Sequence, residues 1–435
     1  MKEDDAMNLI MIVADTFRAD YLGCYGNNWI RTPSLDRLAA DGVVFTNVYA
    51  DGLPTIPMRR VFYTGKSILP EGKWCPLAPD DVTLAEILSK NGFTTALISD
   101  CYHQFKPDLN FHKGFDSWEW IRGQENDKWR SGPKDLFNPK DYMPAHLWNE
   151  NYDKLTQQYL MNNQDRRTEE DYIVGRSCRA AMRWLEQNMD NKPFMLWLEL
   201  FDPHEPWDAP PRFRKMYYDN YPCENFHFGY GVRRADIRDE DIPAIKALYA
   251  AEVTFVDLWL GRLFERVRDL GLMDDTIIAF STDHGTHLGE EGCIQKTPGL
   301  LNSCVARLPL IVRHPDSQFA GKRVGALVSG IDVAPTFLKM LGVKEHSPMD
   351  GTNFWSLATG EAEEIHKRIF TGFRWFGMVR DLEWHYFQQM QKGADPGKGP
   401  CLYNLKKDPK ETKNVVKDHP EVAAKLRRLL KKRFQ

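Results

Sequence analysis

The stretch Leu9-Ile10-Met11-Ile12-Val13-Ala14, followed at once by Asp15, decides the fold. A continuous apolar run of this length indicates a strand that is buried on both faces, as in the parallel sheets of α/β proteins. Three later runs repeat the design and lead directly into polar residues: Thr94–Ser99 into Asp100, Phe194–Leu200 into Asp202 and His204, and Thr276–Ser281 into Asp283 and His284. We therefore expect several buried strands, each with polar groups at its carboxyl end.

Helical patterns separate these strands. They cover Ser34–Asp41, Thr83–Asn91, Glu169–Met189 and Ile242–Leu270. Ser34 is the expected cap of the first helix, and Thr83 with Glu86 three residues on predicts a capping box at the second. Leu308–Val312 is one more apolar strand. Strands that alternate with helices predict an α/β fold with a mainly parallel sheet.

Composition excludes several classes of protein. The chain has 435 residues, an apolar content of 42% and a formal net charge of −4, which together indicate a globular protein with a large core and not a basic nucleic-acid binder. No apolar run is long enough to span a membrane. The apolar N-terminal run follows Glu3, Asp4 and Asp5 and not basic residues, so we read it as a strand and not as a secretory signal. Eight scattered cysteines without a Cys-x-x-Cys pair favour reduced thiols and a cytoplasmic location.

The chain divides into a large and a small part. Residues 1–360 carry the α/β pattern, and residues from about 105 to 170 within them have poor periodicity, as expected of an insertion. Residues 361–435 change character. Three short strands, Arg368–Phe373, Phe376–Arg380 and Glu383–Gln388, and a basic helix, Pro420–Phe434, predict a smaller α+β subdomain.

The polar residues at strand ends are the first candidates for chemistry. Open α/β sheets place their sites at the carboxyl edge of the strands, so Asp15, Asp100, His204 and Asp283 should meet there. Asp15, Asp283 and His284 together offer the oxygen and nitrogen ligands of one divalent cation. Taken alone, such an aspartate is more often a helix cap than a ligand, and such a histidine is more often a hydrogen-bonded structural residue.

The second informative stretch is Thr55-Ile56-Pro57-Met58-Arg59, followed by Thr64-Gly65. It resembles the sulfatase signature, Cys/Ser-x-Pro-Ser-Arg followed by Thr-Gly, with every spacing kept. Further stretches resemble other sulfatase motifs in the same order along the chain: Asp15–Gly26, Thr32–Ala39 with Gly42–Phe45, Thr83–Ala96 and Leu402–Thr412. The resemblance covers nearly the whole chain. It implies the three-layer sandwich of the alkaline phosphatase superfamily, with a smaller C-terminal antiparallel sheet and helix.

The resemblance also implies roles for particular residues. Asp15, Asp283, His284 and the Thr55 hydroxyl would hold one divalent metal ion, and Thr55 would occupy the position of the nucleophile. Arg59 would orient that nucleophile and stabilise anionic charge. Lys296 would contact the transferred oxyanion, and His204 would support the leaving group.

Three departures from the family pattern bear on the chemistry. Sulfatases oxidise their Cys or Ser to formylglycine, whose hydrated form attacks sulfur and then expels the sulfate; threonine cannot give that aldehyde. The family's second acidic ligand is Thr16 here, so with His284 present Mn²⁺ or Zn²⁺ is favoured over Ca²⁺. The family's lysine after the Thr94–Ser99 strand is Asp100, and Tyr102 or His103 would then supply a proton, as in the phosphonate monoester hydrolases and phosphodiesterases of the superfamily.

These observations leave three functions open. The first is a metal-dependent hydrolase of small anionic sulfate or phosphate esters. The second narrows the substrate to a phosphodiester or phosphonate monoester attacked by unmodified Thr55. The third is an inactive member of the family that binds an anion. A two-metal site, as in the nucleotide pyrophosphatase branch, would have only Asp202 and His204 as further ligands. We expect no nucleic-acid or membrane partner, and a homo-oligomer is compatible with the sequence.

Overall fold

The computed structural model describes residues 7–70, 72–133, 136–223, 225–226, 234–344, 347–391 and 399–435. Its strands are β1 Asn8–Ala14, β2 Val43–Tyr49, β3 Gly52–Leu53, β4 Thr94–Ser99, β5 Ser117–Trp120, β6 Phe194–Leu200, β7 Thr276–Ser281, β8 His287–Leu288, β9 Ile294–Gln295, β10 Arg307–Arg313, β11 Lys322–Ser329, β12 Ile369–Phe373, β13 Phe376–Arg380, β14 Trp384–Gln389 and β15 Cys401–Asn404. Its α-helices are α1 Pro33–Ala40, α2 Thr55–Thr64, α3 Leu84–Lys90, α4 Glu150–Asn162, α5 Ile173–Asn188, α6 Pro211–Arg214, α7 Ile242–Asp269, α8 Ser303–Ala306, α9 Val333–Met340, α10 Trp355–Thr359 and α11 Pro420–Arg433.

The main sheet has eight strands in the order β11-β2-β10-β7-β1-β6-β4-β5. All strands run in the same direction except β10, which is antiparallel to both of its neighbours. Strand β1 lies in the middle, paired with β6 on one side and β7 on the other. The carboxyl ends of these three strands therefore meet at one edge of the sheet, which is where the polar residues stand.

Helices cover both faces of this sheet. Side chains of β1 alternate between the two layers: Ile10 and Ile12 pack with the layer of α1, α5 and α7, whereas Leu9 and Met11 pack with the layer of α2, α3 and α9. Nearly every residue of the central strands is buried, because both faces are covered. The predicted three-layer α/β sandwich with a mainly parallel sheet is confirmed.

A second sheet has five strands in the order β15-β14-β13-β12-β3. Helix α11 packs against it through Leu426 and Leu430. The strands β12 to β15 are antiparallel, as the sequence predicts for this part of the chain. Strand β3 comes from much earlier in the chain and pairs in parallel with β12. It ends two residues before Thr55, so the small sheet supports the segment that enters α2.

Two helix predictions need correction. The first helix begins at Pro33, and Ser34 is not its cap; the backbone N–H groups of Ser34 and Leu35 donate to the Asp257 carboxylate at 3.0 and 2.8 Å. The region predicted as one helix from Glu169 is a 3₁₀ turn, Glu169–Asp171, followed by α5. By contrast, Thr83 caps α3 by accepting the N–H of Glu86 at 3.1 Å.

Candidate active site

Three of the predicted metal ligands lie together at the carboxyl edge of the main sheet. Asp15 follows β1, while Asp283 and His284 follow the adjacent strand β7. One ligand atom from each lies within 4.8 Å of the others, and all three side chains are fully buried. Thr55, the first residue of α2, points its Oγ1 at this group, 3.4 Å from His284 Nε2. We call Asp15, Thr55, Asp283 and His284 the metal cluster.

The imidazole of His284 has the protonation that a metal ligand needs. Its Nδ1 lies 2.9 Å from the carbonyl oxygen of Gly285 and donates to it, which leaves the lone pair of Nε2 directed into the cluster. Burial lowers the pKa of His284 to about 4, so the ring is neutral at pH 7. A backbone contact of this kind fixes the orientation of a ligating histidine.

The two carboxylates of the cluster differ in how their surroundings shift their pKa values. Asp15 Oδ2 is buried and accepts no hydrogen bond from the described residues. Burial, followed by the charge of Asp283, raises the pKa of Asp15 well above its ordinary value. Burial also opposes ionisation of Asp283, but the Arg59 guanidinium and His284 outweigh it and hold the pKa of Asp283 below its usual range.

Arg59 ties these carboxylates to a third one. Its Nη1 contacts Asp283 Oδ2 and lies 3.1 Å from Asp15 Oδ2, while its Nη2 donates to Glu199 Oε2 at 2.8 Å. Arg59 Nη1 also donates to the carbonyl oxygen of Thr55 at 3.4 Å, which holds the start of α2. Three buried acidic side chains surround one guanidinium, and the cluster offers carboxylate oxygens and an imidazole nitrogen, so a divalent cation would fit it in charge and in donor type.

Glu199 is a site residue that the sequence reasoning missed. It is fully buried in β6 and also accepts Trp197 Nε1 at 2.9 Å and Gln104 Nε2 at 3.3 Å. The signal was available, because a glutamate in the otherwise apolar run Phe194–Leu200 must find a charged partner when both faces of the strand are covered. Arg59 is that partner.

Thr16 takes the position where the family has a second acid. Its backbone is in the left-handed region, with a φ of 63°, which is unusual for a β-branched residue. In this conformation its N–H donates to Asp283 Oδ1 at 3.0 Å and its hydroxyl donates to Asp15 Oδ1 at 2.7 Å. Thr16 therefore orients the two carboxylates instead of adding a third negative ligand.

The remaining predicted residues form a second group beside the metal cluster. Lys296 Nζ donates to His204 Nε2 at 2.6 Å and lies 3.5 Å from Thr16 Oγ1, which joins the two groups. His204 Nδ1 donates to the Glu205 carbonyl oxygen at 2.7 Å, and its ring stacks on Phe201 at 4.2 Å. Burial, followed by Lys296, lowers the pKa of His204 well below its ordinary value. His204 therefore accepts a hydrogen bond from Lys296 here, and Lys296 is the charged member of the pair.

Tyr102 and His103 lie on the far side of His204, in the turn that follows β4. The Tyr102 hydroxyl donates to Glu125 Oε2 at 2.8 Å, and His103 Nε2 lies 3.7 Å from the same oxygen. Glu125 Oε1 is in turn 3.4 Å from His204 Nδ1. We call Tyr102, His103, Glu125, His204 and Lys296 the His204 cluster. Glu125 belongs to the 105–170 region, whose lack of periodicity hid it from the sequence reasoning.

Asp100 stands at the same sheet edge but does not join either cluster. Its carboxylate accepts the N–H of Phe201 at 2.5 Å and the Ser177 hydroxyl at 3.0 Å. Asp202, offered as a ligand of a second metal, accepts Gln124 Nε2 at 2.8 Å. Within the described ranges, the group of Asp15, Asp283 and His284 is the one cluster with metal-ligand spacing. Asp100 thus lies at the predicted edge, but its side chain turns back to cap the chain after β6.

The fold and this edge of buried polar residues define an ester hydrolase of the alkaline phosphatase superfamily. The sulfatase family profile matches residues 7–343, and the profile described as N-sulphoglucosamine sulphohydrolase, C-terminal, matches residues 289–435. The chain belongs to the sulfatase family. It is thus a hydrolase of sulfate or phosphate esters, as the sequence predicts, and members of the family depend on a metal ion.

Known relatives cover nearly its whole length. N-acetylglucosamine-6-O-sulfatase of Bacteroides thetaiotaomicron is 24% identical, over 95% of this chain and 83% of the relative. The multifunctional alkaline phosphatase superfamily protein PehA of Trinickia caryophylli is 25% identical, over 97% and 93%. The crystal structure of the phosphonate monoester hydrolase of Agrobacterium radiobacter superposes with a TM-score of 0.78 at 22% identity, over 98% of this chain and 94% of that one. The relatives thus include enzymes named for sulfate and for phosphonate esters. No helix among the described residues has the length and hydropathy of a membrane span.

Proposed function

We propose that this enzyme hydrolyses phosphodiesters or phosphonate monoesters, with the unmodified hydroxyl of Thr55 as its nucleophile. The observation that carries the proposal is the residue at that position. Thr55 begins a ten-residue helix, is buried, and directs Oγ1 into the metal cluster. A threonyl phosphate can be hydrolysed by water, whereas a threonyl sulfate lacks the exit that the hydrated formylglycine gives to sulfatases.

Asp15, Asp283, His284 and Thr55 would hold the divalent cation. Two observations support this assignment: Asp15 Oδ2 accepts no hydrogen bond from the described residues, and the lone pair of His284 Nε2 faces the cluster. With one imidazole and only two carboxylates, the donor set favours Mn²⁺ or Zn²⁺ over Ca²⁺. When bound, the ion would supply positive charge that lowers the pKa of the Thr55 hydroxyl and stabilises the oxygens of the transferred group.

The protein supplies the rest of the nucleophile's environment. The N-terminus of α2 places positive potential at Thr55, which favours the anionic form of its oxygen. Arg59 holds the Thr55 carbonyl oxygen and both cluster carboxylates, so it positions the nucleophile while its own charge is engaged. Lys296, the charged member of its pair with His204, is the free cationic donor toward the equatorial oxygens.

Turnover then takes two displacements. In the first, the Thr55 oxygen forms a bond to phosphorus, its proton passes to solvent water, and the ester oxygen leaves with the electron pair of its bond and takes up a proton. In the second, water attacks this covalent intermediate, in which phosphorus still carries the second ester or phosphonate substituent; the bond between phosphorus and Thr55 breaks, a proton returns to the Thr55 oxygen, and the monoester or phosphonate leaves. Both steps are in-line displacements in which positioning and charge stabilisation do most of the work.

A paired set of aryl substrates tests the proposal. Wild-type enzyme loaded with Mn²⁺ should hydrolyse bis(nitrophenyl) phosphate and nitrophenyl phenylphosphonate much faster than nitrophenyl sulfate. Thr55→Val, which keeps the shape without the hydroxyl, should lose nearly all of this activity, and Thr55→Ser should keep a good part. Rapid quenching of the wild type during turnover of bis(nitrophenyl) phosphate should leave a nitrophenylphosphoryl group on Thr55 that mass spectrometry detects.

Two results would reject it. Wild-type turnover by Thr55→Val would mean that water, and not Thr55, attacks. A sulfatase rate above the phosphodiesterase rate, with Thr55 unmodified, would reject the preference for phosphorus.

We also propose a reducing compartment such as the cytoplasm for this enzyme. All eight cysteines are free thiols, and Cys101, Cys178 and Cys401 are buried as such. Small secreted domains rely on disulfides, whereas this chain has a large core without them.

A further inference from the structure

Glu125 is the charged residue of the His204 cluster for which the mechanism above has no use. Its carboxylate lies between two elements: Oε2 accepts the Tyr102 hydroxyl at 2.8 Å, and Oε1 lies 3.4 Å from His204 Nδ1. The side chain is only 10% exposed, which is rare for a glutamate to which no arginine or lysine of the described ranges is bonded. A buried acid held against a candidate catalytic histidine calls for a functional explanation.

The backbone around Glu125 is built to hold it there. Its φ of 42° lies in the left-handed region, where a glutamate is strained. The residues on either side are tied down: Gln124 donates to Asp202 at 2.8 Å, and the N–H of Gly123 donates to Asp127 at 3.0 Å. A strained residue persists when its surroundings fix it, and here they aim the carboxylate at His204.

Opposite charges approach His204 from its two sides. Lys296 donates to Nε2, whereas Glu125 Oε1 and Glu205 Oε2 lie 3.4 and 3.7 Å from Nδ1. Glu205 Oε2 is buried and accepts no hydrogen bond from the described residues. The two carboxylates on the Nδ1 side favour a positively charged imidazole, and Lys296 opposes it.

We infer that Glu125 is a positioning residue for departure of the leaving group: its carboxylate orients His204 and stabilises the imidazolium that forms when Nε2 takes the proton of Lys296 and passes it to the ester oxygen. When the ester bond breaks, the oxygen takes the bonding electron pair and this proton, Lys296 is left neutral, and the neutral imidazole keeps its Nδ1 proton on the Glu205 carbonyl. The next proton comes from solvent. This inference rests on ester hydrolysis at this site but not on the identity of the nucleophile.

The pKa of Glu125 is also shifted by its surroundings. Burial raises the pKa of Glu125 to about 7, against the hydrogen bond from Tyr102 that lowers it. The groups that face it are Tyr102, His103, Lys106, His204, Glu205 and Lys296. Because Glu125 Oε1 lies 3.4 Å from His204 Nδ1, a change at Glu125 alters the pH range in which His204 carries a proton.

The test compares two substrates that differ in their need for a proton. Bis(nitrophenyl) phosphate expels nitrophenolate, which leaves without protonation, whereas a dialkyl phosphate must expel an alkoxide, which needs a proton. Full-length Mn²⁺-loaded Glu125→Gln should lose about 10²-fold or more on the dialkyl diester and less than about threefold on the bis(nitrophenyl) diester. Its pH–rate profile on the dialkyl diester should have the alkaline limb at lower pH, because loss of the carboxylate lowers the pKa of His204. Glu119→Gln is the matched control, since Glu119 lies in the same region but is 48% exposed and pairs with Arg183.

Equal losses on both substrates with an unmoved alkaline limb would overturn the inference and make Glu125 structural. If Glu125→Gln does not fold, Glu125→Asp replaces it. The shortened carboxylate should lower the rate on the dialkyl diester more than the rate on the bis(nitrophenyl) diester, and equal losses on the two substrates would again overturn the inference. The result for Glu125 can be interpreted independently of the result for Thr55. If Thr55→Val remains active, the nucleophile assignment fails while the ratio between the two substrates in Glu125→Gln still reports on the leaving group.

Discussion

Replacing Arg59 by methionine should cost this protein about 3–5 kcal/mol of its free energy of unfolding. Arg59 has no exposed surface, and neither do Asp15, Glu199 and Asp283, the three carboxylates around it. Methionine keeps much of the volume of the side chain, so the cost arises from charge. Removal of one partner leaves buried carboxylates uncompensated, and this loss exceeds what the ion pairs add to stability when they are intact.

The size of the effect can be apportioned with a double-mutant cycle. Glu199→Met alone should cost less than Arg59→Met, because Arg59 keeps Asp15 and Asp283 as partners. The loss of free energy of unfolding in the double variant should be smaller, by about 1–2 kcal/mol, than the sum of the losses in the two single variants. The reason is that each single variant leaves one buried partner unpaired, either Glu199 or the Nε and Nη2 of Arg59, whereas the double variant leaves neither. Mn²⁺ should stabilise Arg59→Met more than it stabilises the wild type, because the ion takes over neutralisation of the two cluster carboxylates.

Urea unfolding at pH 7, followed by tryptophan fluorescence with and without Mn²⁺, provides the measurement. Arg60→Met is the matched control: Arg60 is the next residue of α2, but it is 29% exposed and pairs with Asp81, so its loss should cost at most about 1 kcal/mol. Additive costs in the double variant, or equal costs for Arg59→Met and Arg60→Met, would refute this account of the cluster.

Three further predictions follow from the structure. Asp283→Ala should abolish stoichiometric binding of Mn²⁺ by elemental analysis, and undiminished metal content would show that the ion binds elsewhere. Burial, followed by the charge of Asp202, raises the pKa of Asp100 well above its ordinary value, so the native state keeps a proton that the unfolded chain releases above about pH 4, and the free energy of unfolding falls as pH rises. Asp100→Asn should therefore gain stability relative to the wild type between pH 5 and pH 8. A constant difference in stability across that range would contradict the raised pKa. Thiol titration of the denatured, unreduced protein should report eight free thiols, whereas a markedly lower number would speak for disulfides.

The central strands could be predicted to the residue. Thr94–Ser99, Phe194–Leu200 and Thr276–Ser281 have the predicted bounds, because a strand covered on both faces reads as an apolar run with abrupt polar ends. Strand β11, Lys322–Ser329, was missed because it lies at the edge of the sheet and begins with exposed residues. The antiparallel direction of β10 was equally invisible, since an apolar run carries no information about direction.

The site was predictable only where a local motif marks it. Asp15, Thr55, Asp283 and His284 were named from strand ends and motifs, and the structure places them together; their action as ligands and nucleophile remains a prediction. Glu125 could not be found this way. It follows no regular element, and its contacts with Tyr102 and His204 join residues that are distant in sequence and meet only in the folded chain.

The parallel pairing of Gly52–Leu53 with β12 has a consequence for folding of the enzyme during its synthesis. The segment that delivers Thr55 to the site is held by a strand that the ribosome makes near the end of synthesis. An emerging chain can assemble most of the main sheet before β12 exists, but the approach to its nucleophile is not yet secured. Catalytic competence thus waits for β12, and a chain cut short before residue 369 should be inactive.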